Sequence, residues 1–278
     1  ENEVFGDSPL SLDILGSREN VKSFTSDQLE DYIKCNYVAD NIVIAIAGAF
    51  DEGELLATLE ESFKDISQEK LEGRDFEPVR NQKFIFKEKD IEQIHMVINY
   101  PAISYLDEET FVLSILNTII GGGINSKLFL GIREDKGLTY SIYTYVESYA
   151  NTGMFNIYAA FNPAQAEEVI VNTFKELDDF LSKGLSDDEL ERIKAQIKSN
   201  LIIGYENMNN RMSNYGKSKL VMGHIKTQEE IIKGIDDVTV NSVMSMAKTM
   251  FEDSTLSLSL VGHLESIDLE GVKKLCKR

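Results

Sequence analysis

Apolar positions alternate or recur at helical spacing in successive segments of the chain, and their order gives the first view of its architecture. Alternating apolar residues predict strands at 84–87 and 94–100. Two further alternating runs flank Asn151-Thr152-Gly153, which has the composition of a turn, so a hairpin is expected there. The first run is Leu138, Tyr140, Ile142, Thr144 and Val146, and the second is Phe155, Ile157, Ala159 and Phe161.

Helical spacing accounts for most of the other apolar segments. Helices are predicted over 108–120 and, more briefly, over 125–133, where Gly137 closes the segment. Ser186 and Glu189 form a capping box ahead of a later helix. Another helix is predicted by the spacing of Ile170, Phe174, Leu177 and Leu181. Hairpin strands followed by consecutive helices indicate an α+β fold with a largely antiparallel sheet packed against helices.

Part of this pattern occurs twice, at an offset of 214 residues that brings Thr25 onto Thr239. In both copies a helix-period segment leads into a short alternating strand, then a glycine, an acidic residue and a second helical segment. The residues that coincide are Leu29 with Val243, Tyr37 with Phe251, Ile42 with Leu256, Ile44 with Leu258, Ile46 with Leu260 and Gly48 with Gly262. Two duplicated domains are therefore expected.

The offset also sets the expected domain boundaries. A copy that ends near Phe63 would begin before Glu1, so the first domain is expected to be truncated and residues 1–66 to be its C-terminal remainder. Residues 67–82 are polar and contain a glycine and a proline, which is typical of a linker. An ordinary surface loop is the alternative. Residues 83–278 are expected to form a complete second domain.

Composition excludes several classes of function. The formal net charge of −19 opposes binding to nucleic acid or to anionic lipid, and no run approaches the roughly 18 apolar residues of a membrane span. The chain has two cysteines, Cys35 and Cys276, far apart and without metal-ligand spacing, which favours a reducing compartment. A soluble cytoplasmic protein is expected.

Familiar catalytic motifs do not assign a function to this sequence. The three histidines, His95, His224 and His263, lack a second histidine or carboxylate at zinc-ligand spacing, so no metal site is predicted. His263 is expected in a solvated loop, and His95 is expected to be packed within a strand or at its edge. The glycines that precede Ser126 and Lys127 do not have the order of a phosphate-binding loop, and a backbone turn is the stronger interpretation.

One constellation does suggest chemistry. Arg133 and Tyr140 are seven residues apart, with Gly137 and a helix-to-strand turn between them, so both side chains can point into one groove. A guanidinium and a phenol beside a sheet edge suit a peptide carbonyl or the oxyanion formed from it. The alternatives are structural: Arg133 can favour a helix C-terminus, and Tyr140 can fill a cross-strand pair.

Four motifs together resemble the second-domain signature of the pitrilysin/insulinase family of zinc peptidases, which includes the mitochondrial processing peptidases. They are Gly121-Gly122-Gly123-Ile124-Asn125-Ser126-Lys127-Leu128-Phe129, Ile132-Arg133-Glu134, Gly137-Leu138-Thr139-Tyr140-Ser141 and Asn151-Thr152-Gly153-Met154-Phe155. Similarity also runs through Pro9-Leu10, Ile14-Leu15-Gly16, the strand at 41–48 and Glu92-Gln93-Ile94-His95, so it covers nearly the whole chain.

The resemblance implies roles for particular residues. By motif position, Arg133 and Tyr140 correspond to the arginine and tyrosine that contact the substrate and its tetrahedral intermediate. The glycine-rich turn belongs to the substrate groove in this family, which implies substrate-binding roles for Gly121, Gly122, Gly123, Asn125 and Ser126. The family's zinc is held in the first domain, by an inverted H-x-x-E-H motif and a distant glutamate that have no counterpart here.

The resemblance therefore implies part of a peptide hydrolase, a zinc metalloendopeptidase. The chain would supply the substrate-binding second domain, while zinc would come with a missing N-terminal domain or a catalytic partner subunit. Alone, it is expected to be inactive and to bind extended peptide along a strand edge. The alternative is a non-catalytic partner or scaffold subunit of a heteromeric peptidase. A homodimer is left open.

Overall fold

The computed structural model describes residues 4–6, 8–70, 76 and 78–276. The chain forms two compact units. One contains the described residues within 1–11, 77–197 and 232–278, and the other contains those within 12–76 and 198–231. In the part of the chain that the model describes, no helix is both long enough and apolar enough to cross a bilayer.

The first unit is built on a five-stranded sheet with the order β1-β5-β2-β4-β3. Its strands are β1 (Phe84–Glu88), β2 (Ile94–Ala102), β3 (Ser141–Ser148), β4 (Gly153–Phe161) and β5 (Ser257–Gly262). Strands β1 and β5 are parallel, whereas β5-β2, β2-β4 and β4-β3 are antiparallel. The hairpin expected around residues 151–153 is β3-β4, and β3 lies at an edge of the sheet.

One face of this sheet carries the core. Its alternating side chains are buried, because successive residues of a strand point to opposite faces and this face packs on helices. These side chains are Ile94, Met96, Ile98, Tyr100, Phe155, Ile157, Ala159, Phe161, Leu258 and Leu260. The expected α+β fold, a largely antiparallel sheet packed with helices, is confirmed.

Ten helices connect or cover the strands in the described residues. They are α1 (Arg18–Ser23), α2 (Ser26–Asn36), α3 (Glu52–Phe63), α4 (Thr110–Ile120), α5 (Ala166–Lys183), α6 (Asp187–Glu206), α7 (Met208–Met222), α8 (Gln228–Asp236), α9 (Val240–Phe251) and α10 (Leu269–Leu275). The other regular segments are three 3₁₀ turns, Pro9–Ser11, Ala39–Asn41 and Pro163–Gln165, and one π-helical turn, Phe129–Glu134. That turn overlaps the helix expected over 125–133. At the start of α6 the Ser186 hydroxyl accepts a hydrogen bond from the Glu189 N–H, which is one of the two bonds of the predicted capping box.

The second unit contains the helices of the first copy of the repeat, but not its strand. Residues 42–47 follow α2 as the offset predicts, yet they are not paired into a sheet in the part of the chain that is described. The prediction of a strand there was wrong for this chain, because a strand requires a neighbour and β5, at the matching position, has two. Gly216 of α7 lies against Ala45 instead. The linker expected over 67–82 includes residues 71–75 and 77, which are outside the described residues.

The two copies differ most in exposure. Ile44 is 45% exposed, whereas Leu258 at the matching position is 1% exposed. The same contrast holds for other matched apolar pairs. Leu29, Ile33, Tyr37 and Ile46 are exposed, and Val243, Ala247, Phe251 and Leu260 are buried. In contrast, Gly48 and Gly262 share a φ of 149°, so the backbone turns in the same way after both segments.

Candidate functional site

A groove runs along the outer edge of β3, and we call it the edge groove. Its volume is about 330 Å³. The residues that line it are Gly121, Gly122, Gly123, Ile124, Phe129, Arg133, Ser141, Ile142, Tyr143 and Thr144. It therefore joins the glycine-rich turn, the π-helical turn and the edge strand, three segments that are separate in sequence.

The glycine-rich turn is attached to the edge strand at Thr144. The backbone N–H of Thr144 donates to the Gly121 carbonyl at 3.2 Å, and its hydroxyl donates to the Asn117 carbonyl at 3.0 Å. A Cβ at Gly121 would lie 2.6 Å from the Thr144 nitrogen, so the close approach requires glycine. Three of the predicted substrate-binding residues, Gly121 to Gly123, thus line the edge groove. Asn125 is exposed and Ser126 is buried, both beside the lining residues rather than among them.

Arg133 lies in the π-helical turn and projects from the protein. The Asp135 N–H donates to the Leu130 carbonyl at 2.9 Å, the five-residue step of a π-helix. The guanidinium carbon of Arg133 is 4.8 Å from the ring centre of Phe129. Among the described residues, no carboxylate pairs with Arg133 within 4.0 Å. The cation is therefore held by an aromatic ring and keeps its charge unneutralised.

Tyr140 is turned outward by an irregularity at the start of β3. Its N–H donates to the Ala160 carbonyl at 3.0 Å, while Ser141 is the residue paired with Ala160. Two residues thus face one, as in a β-bulge, and a bulge re-aims a side chain. The Tyr140 side chain is 62% exposed, whereas that of Ile142, which the alternation placed on the same face of the strand, is buried. That part of the strand prediction was wrong.

A tight turn fixes the separation between the two predicted catalytic residues. The Gly137 N–H donates to the Arg133 carbonyl and the Leu138 N–H donates to the Ile132 carbonyl, both at 3.1 Å. Gly137 has a φ of +63°, a conformation that favours glycine. This turn leads from the π-helical turn to β3. Arg133 and Ser141 line the same groove, but Tyr140, which was expected to share it with Arg133, is not among the lining residues.

Aromatic residues continue the site across the open face of the sheet. Tyr143 lines the edge groove, and its ring centre is 4.9 Å from that of Tyr158 on the neighbouring strand. The Tyr158 hydroxyl lies 2.8 Å from Nδ1 of His95, so this histidine is packed within a strand as predicted. Burial raises the pKa of Tyr158, and the neighbouring Tyr143 raises it further, while a hydrogen bond with Ser141 lowers it.

The described residues provide no metal centre. Their His, Cys, Asp and Glu side chains form no group of three that could hold a metal ion. His263 is half exposed, as expected for a loop, and lies 3.3 Å from a Glu88 oxygen and 3.1 Å from an Asp90 oxygen. Sequence reasoning missed the contributions of Phe129, Tyr143 and Thr144 to the site. The spacing of Phe129 and Arg133, four residues apart, was a usable signal for the first of these.

Comparison with known proteins identifies the family. The family model described as the peptidase M16 inactive domain matches residues 23–197. The chain belongs to the peptidase M16 family. This confirms the resemblance to zinc peptidases of the pitrilysin/insulinase type. The M16 match begins within the first repeat copy and extends through the edge groove into α6.

Curated M16 relatives are described as uncharacterised zinc proteases. YmxG of Bacillus subtilis (strain 168) is 32% identical over 257 residues, which are 92% of this chain and 62% of that protein. A relative from Streptomyces coelicolor is 30% identical over 271 residues, 94% of this chain and 59% of its own length. The chain thus spans about three-fifths of the curated relatives it matches.

Solved structures show the same fold. A peptidase M16 inactive domain from Pseudomonas fluorescens superposes with a TM-score of 0.85 at 18% identity, over 94% of this chain and 63% of that one. A protease from Helicobacter pylori superposes with a TM-score of 0.75 at 15% identity, over 89% of this chain and 61% of that one. At these sequence identities the superpositions show that the fold is shared, and they do not indicate a more specific role.

Proposed function

We propose that this chain is the substrate-positioning part of an M16 zinc metalloendopeptidase. The observation that carries the proposal is Arg133, an exposed cation without a carboxylate partner among the described residues, in a groove along a sheet edge. An unneutralised guanidinium has five N–H donors and suits a carbonyl oxygen that gains negative charge. The family and the zinc-protease names of its relatives indicate that the carbonyl belongs to a peptide.

The groove suits an extended peptide. Backbone groups of an antiparallel strand alternate between its two neighbours, and the Thr144 N–H is directed away from β4. Ile142 has the same parity, so its N–H and carbonyl are also directed toward the edge groove. Because the Thr144 N–H is already bonded to the Gly121 carbonyl, a peptide would pair beside Ile142 by β-augmentation, which would bring its carbonyl groups toward Arg133 and Tyr140.

In this proposal Arg133 and Tyr140 do one task. Each donates a hydrogen bond to the oxygen of the scissile carbonyl, and each bond strengthens as that oxygen becomes negative during attack on the carbonyl carbon. Zinc is expected of the family, but the described residues do not fit it, since no three-ligand group is present. The metal and its chemistry are therefore assigned to a part outside this chain.

The first repeat copy offers a surface for that part. Leu29, Ile33, Tyr37, Ile44 and Ile46 are exposed at positions whose counterparts are core residues of the sheet unit. Exposed apolar residues grouped in this way are typical of a surface that another element covers. We assign this surface to the zinc-bearing domain or subunit, which would add neighbouring strands to residues 42–47.

The test uses the complete peptidase, in which this chain is combined with its zinc-bearing part. Arg133→Ala and Tyr140→Phe should each lower kcat about a hundredfold, equivalent to about 3 kcal/mol, with a smaller change in KM. Arg18→Ala is the matched control, because Arg18 is an exposed arginine on α1 and does not line the groove. Unchanged kcat in both folded variants would remove these residues from the mechanism.

The same assay distinguishes the proposed role from the alternative, in which the chain belongs to a non-catalytic partner subunit. A non-catalytic partner subunit would belong to a protein without zinc or peptidase activity of its own, and Arg133→Ala would then affect only the activity of the assembled complex. Metal content and turnover of the full-length protein, measured with and without candidate catalytic subunits, distinguish the two roles. Zinc together with turnover in the full-length protein alone excludes the partner role.

A further inference from the structure

The contact between Phe129 and Arg133 solves a problem that every anion-binding arginine faces. A long flexible side chain must be held in place, yet a carboxylate that held it would occupy N–H donors and neutralise the charge. In this protein the guanidinium carbon lies 4.8 Å from the centre of the Phe129 ring. The attraction acts through the π face of the ring, which leaves the N–H groups available for a ligand.

Local structure supports this contact. Phe129 and Arg133 are the first and fifth residues of the π-helical turn, and both line the edge groove. Phe129 is partly buried and Arg133 is exposed, so the ring is the fixed member of the pair and the guanidinium is the member that reaches solvent. Glycine at 131 lets the turn lie close to α5, where a Cβ would meet the Glu176 carboxylate at 2.4–2.9 Å.

We propose that Phe129 is a positioning residue for Arg133 in the proposed peptidase reaction. This inference rests on the proposed function, because it requires Arg133 to contact the substrate carbonyl. Phe129 touches no reacting atom. Its ring restricts the guanidinium to the orientation that meets the carbonyl oxygen, so its loss should lower kcat rather than weaken binding of the rest of the peptide.

The experiment measures kcat and KM of the complete peptidase. Phe129→Leu should lower kcat roughly tenfold with KM nearly unchanged, and Phe129→Tyr should restore kcat to within about twofold, since tyrosine keeps the π face. Phe86→Leu is the matched control: it removes a similar contact, with Lys273 at 5.5 Å, from a strand outside the groove. It should leave kcat unchanged.

A second series removes the attraction without changing the shape of the side chain. Stepwise fluorination of the ring at position 129 weakens the π face, so kcat should fall in step with fluorine number while the melting temperature stays constant. In the Arg133→Ala background, Phe129→Leu should have less than about a twofold further effect on kcat. This non-additivity distinguishes positioning of Arg133 from a general structural role.

The outcomes separate the two hypotheses. If Arg133→Ala lowers kcat but Phe129→Leu and fluorination do not, the positioning role is overturned and the proposed function stands. Equal effects of Phe129→Leu in the presence and absence of Arg133 also overturn it. If Arg133→Ala itself leaves kcat unchanged, the proposed function fails, and the positioning role fails with it.

Discussion

Thr25 and Thr239, 214 residues apart, begin their helices with the same reciprocal cap. The Thr25 hydroxyl accepts from the Gln28 N–H, and the Gln28 side chain accepts from the Thr25 N–H. Thr239 and Ser242 exchange the equivalent pair of hydrogen bonds at the start of α9. Shared caps at a fixed offset support a duplication, although the strand that follows is paired in only one of the two copies.

That difference predicts unequal effects of matched core substitutions. Leu258→Ala should destabilise the protein by about 2–5 kcal/mol, because it deletes a side chain that is 1% exposed. Ile44→Ala, at the equivalent position, should cost less than about 1 kcal/mol in this chain, because Ile44 is 45% exposed. Urea unfolding of both variants measures this.

The difference in stability between Leu258→Ala and Ile44→Ala should diminish when the zinc-bearing part is present. If that part covers residues 42–47, Ile44→Ala should then weaken the association of the two parts. An Ile44→Ala variant that associates as well as the parent chain would contradict the assignment of this surface, and Val79→Ala, another exposed apolar position outside it, serves as the control.

Metal content gives an independent prediction. After exhaustive dialysis this chain should retain zinc well below one equivalent, since tight zinc sites need at least three convergent protein ligands. Elemental analysis of this chain beside the full-length protein checks the prediction. Stoichiometric zinc in this chain would contradict the proposal that the metal site lies outside it.

The glycine-rich turn provides a matched pair of substitutions. Gly121→Ala should destabilise the protein by about 1–3 kcal/mol and disturb the edge groove, since a Cβ would lie 2.6 Å from the Thr144 nitrogen. Gly123→Ala should be nearly neutral, because the added Cβ would lie 4.0 Å from the Gln196 side chain, at ordinary van der Waals distance. Thermal melts and peptide affinity of the two variants test the pair, and equal melting temperatures would argue against the tight contact.

Tyr158 predicts a dependence of stability on alkaline pH. Its pKa is raised in the folded state, by burial first and then by Tyr143, so the neutral phenol is favoured by folding. The resulting stability is fully present below the unfolded pKa of about 10 and is lost as the pH rises through the folded pKa. Tyr158→Phe should lose less stability than the parent as the pH rises above about 10. If the melting temperatures of the two proteins change equally with pH, Tyr158 does not contribute to this loss of stability.

Much of the sheet unit was predictable because its signals are local. The alternation of Phe155 to Phe161 specified a strand, and turn residues before it specified the hairpin. The strand expected at 41–48 shows that local signals alone are not sufficient to predict a strand. Ile42, Ile44 and Ile46 alternate as β5 does, but pairing depends on neighbours that the described part of this chain does not provide for them.

The candidate site was predictable in part. Motif spacing selected Arg133 and Tyr140, and both are exposed as a substrate contact requires, but their roles stay predictions. The outward turn of Tyr140 was not predictable from alternation, because it depends on the register between β3 and Ala160. The four-residue spacing of Phe129 and Arg133 indicated that they could be in contact, but the π-helical turn that contains both, with its extra residue per turn, was not predictable from the sequence.

The hydrogen bond from the Thr144 N–H to the Gly121 carbonyl has a consequence for the behaviour of the chain in solution. An edge strand with an uninterrupted row of unpaired backbone groups is a template for other chains and favours aggregation. Here the row along β3 is interrupted at its middle by a glycine carbonyl. A short peptide segment can still pair beside Ile142, but the bond at Thr144 interrupts pairing along the full length of β3, which should limit self-assembly at this edge.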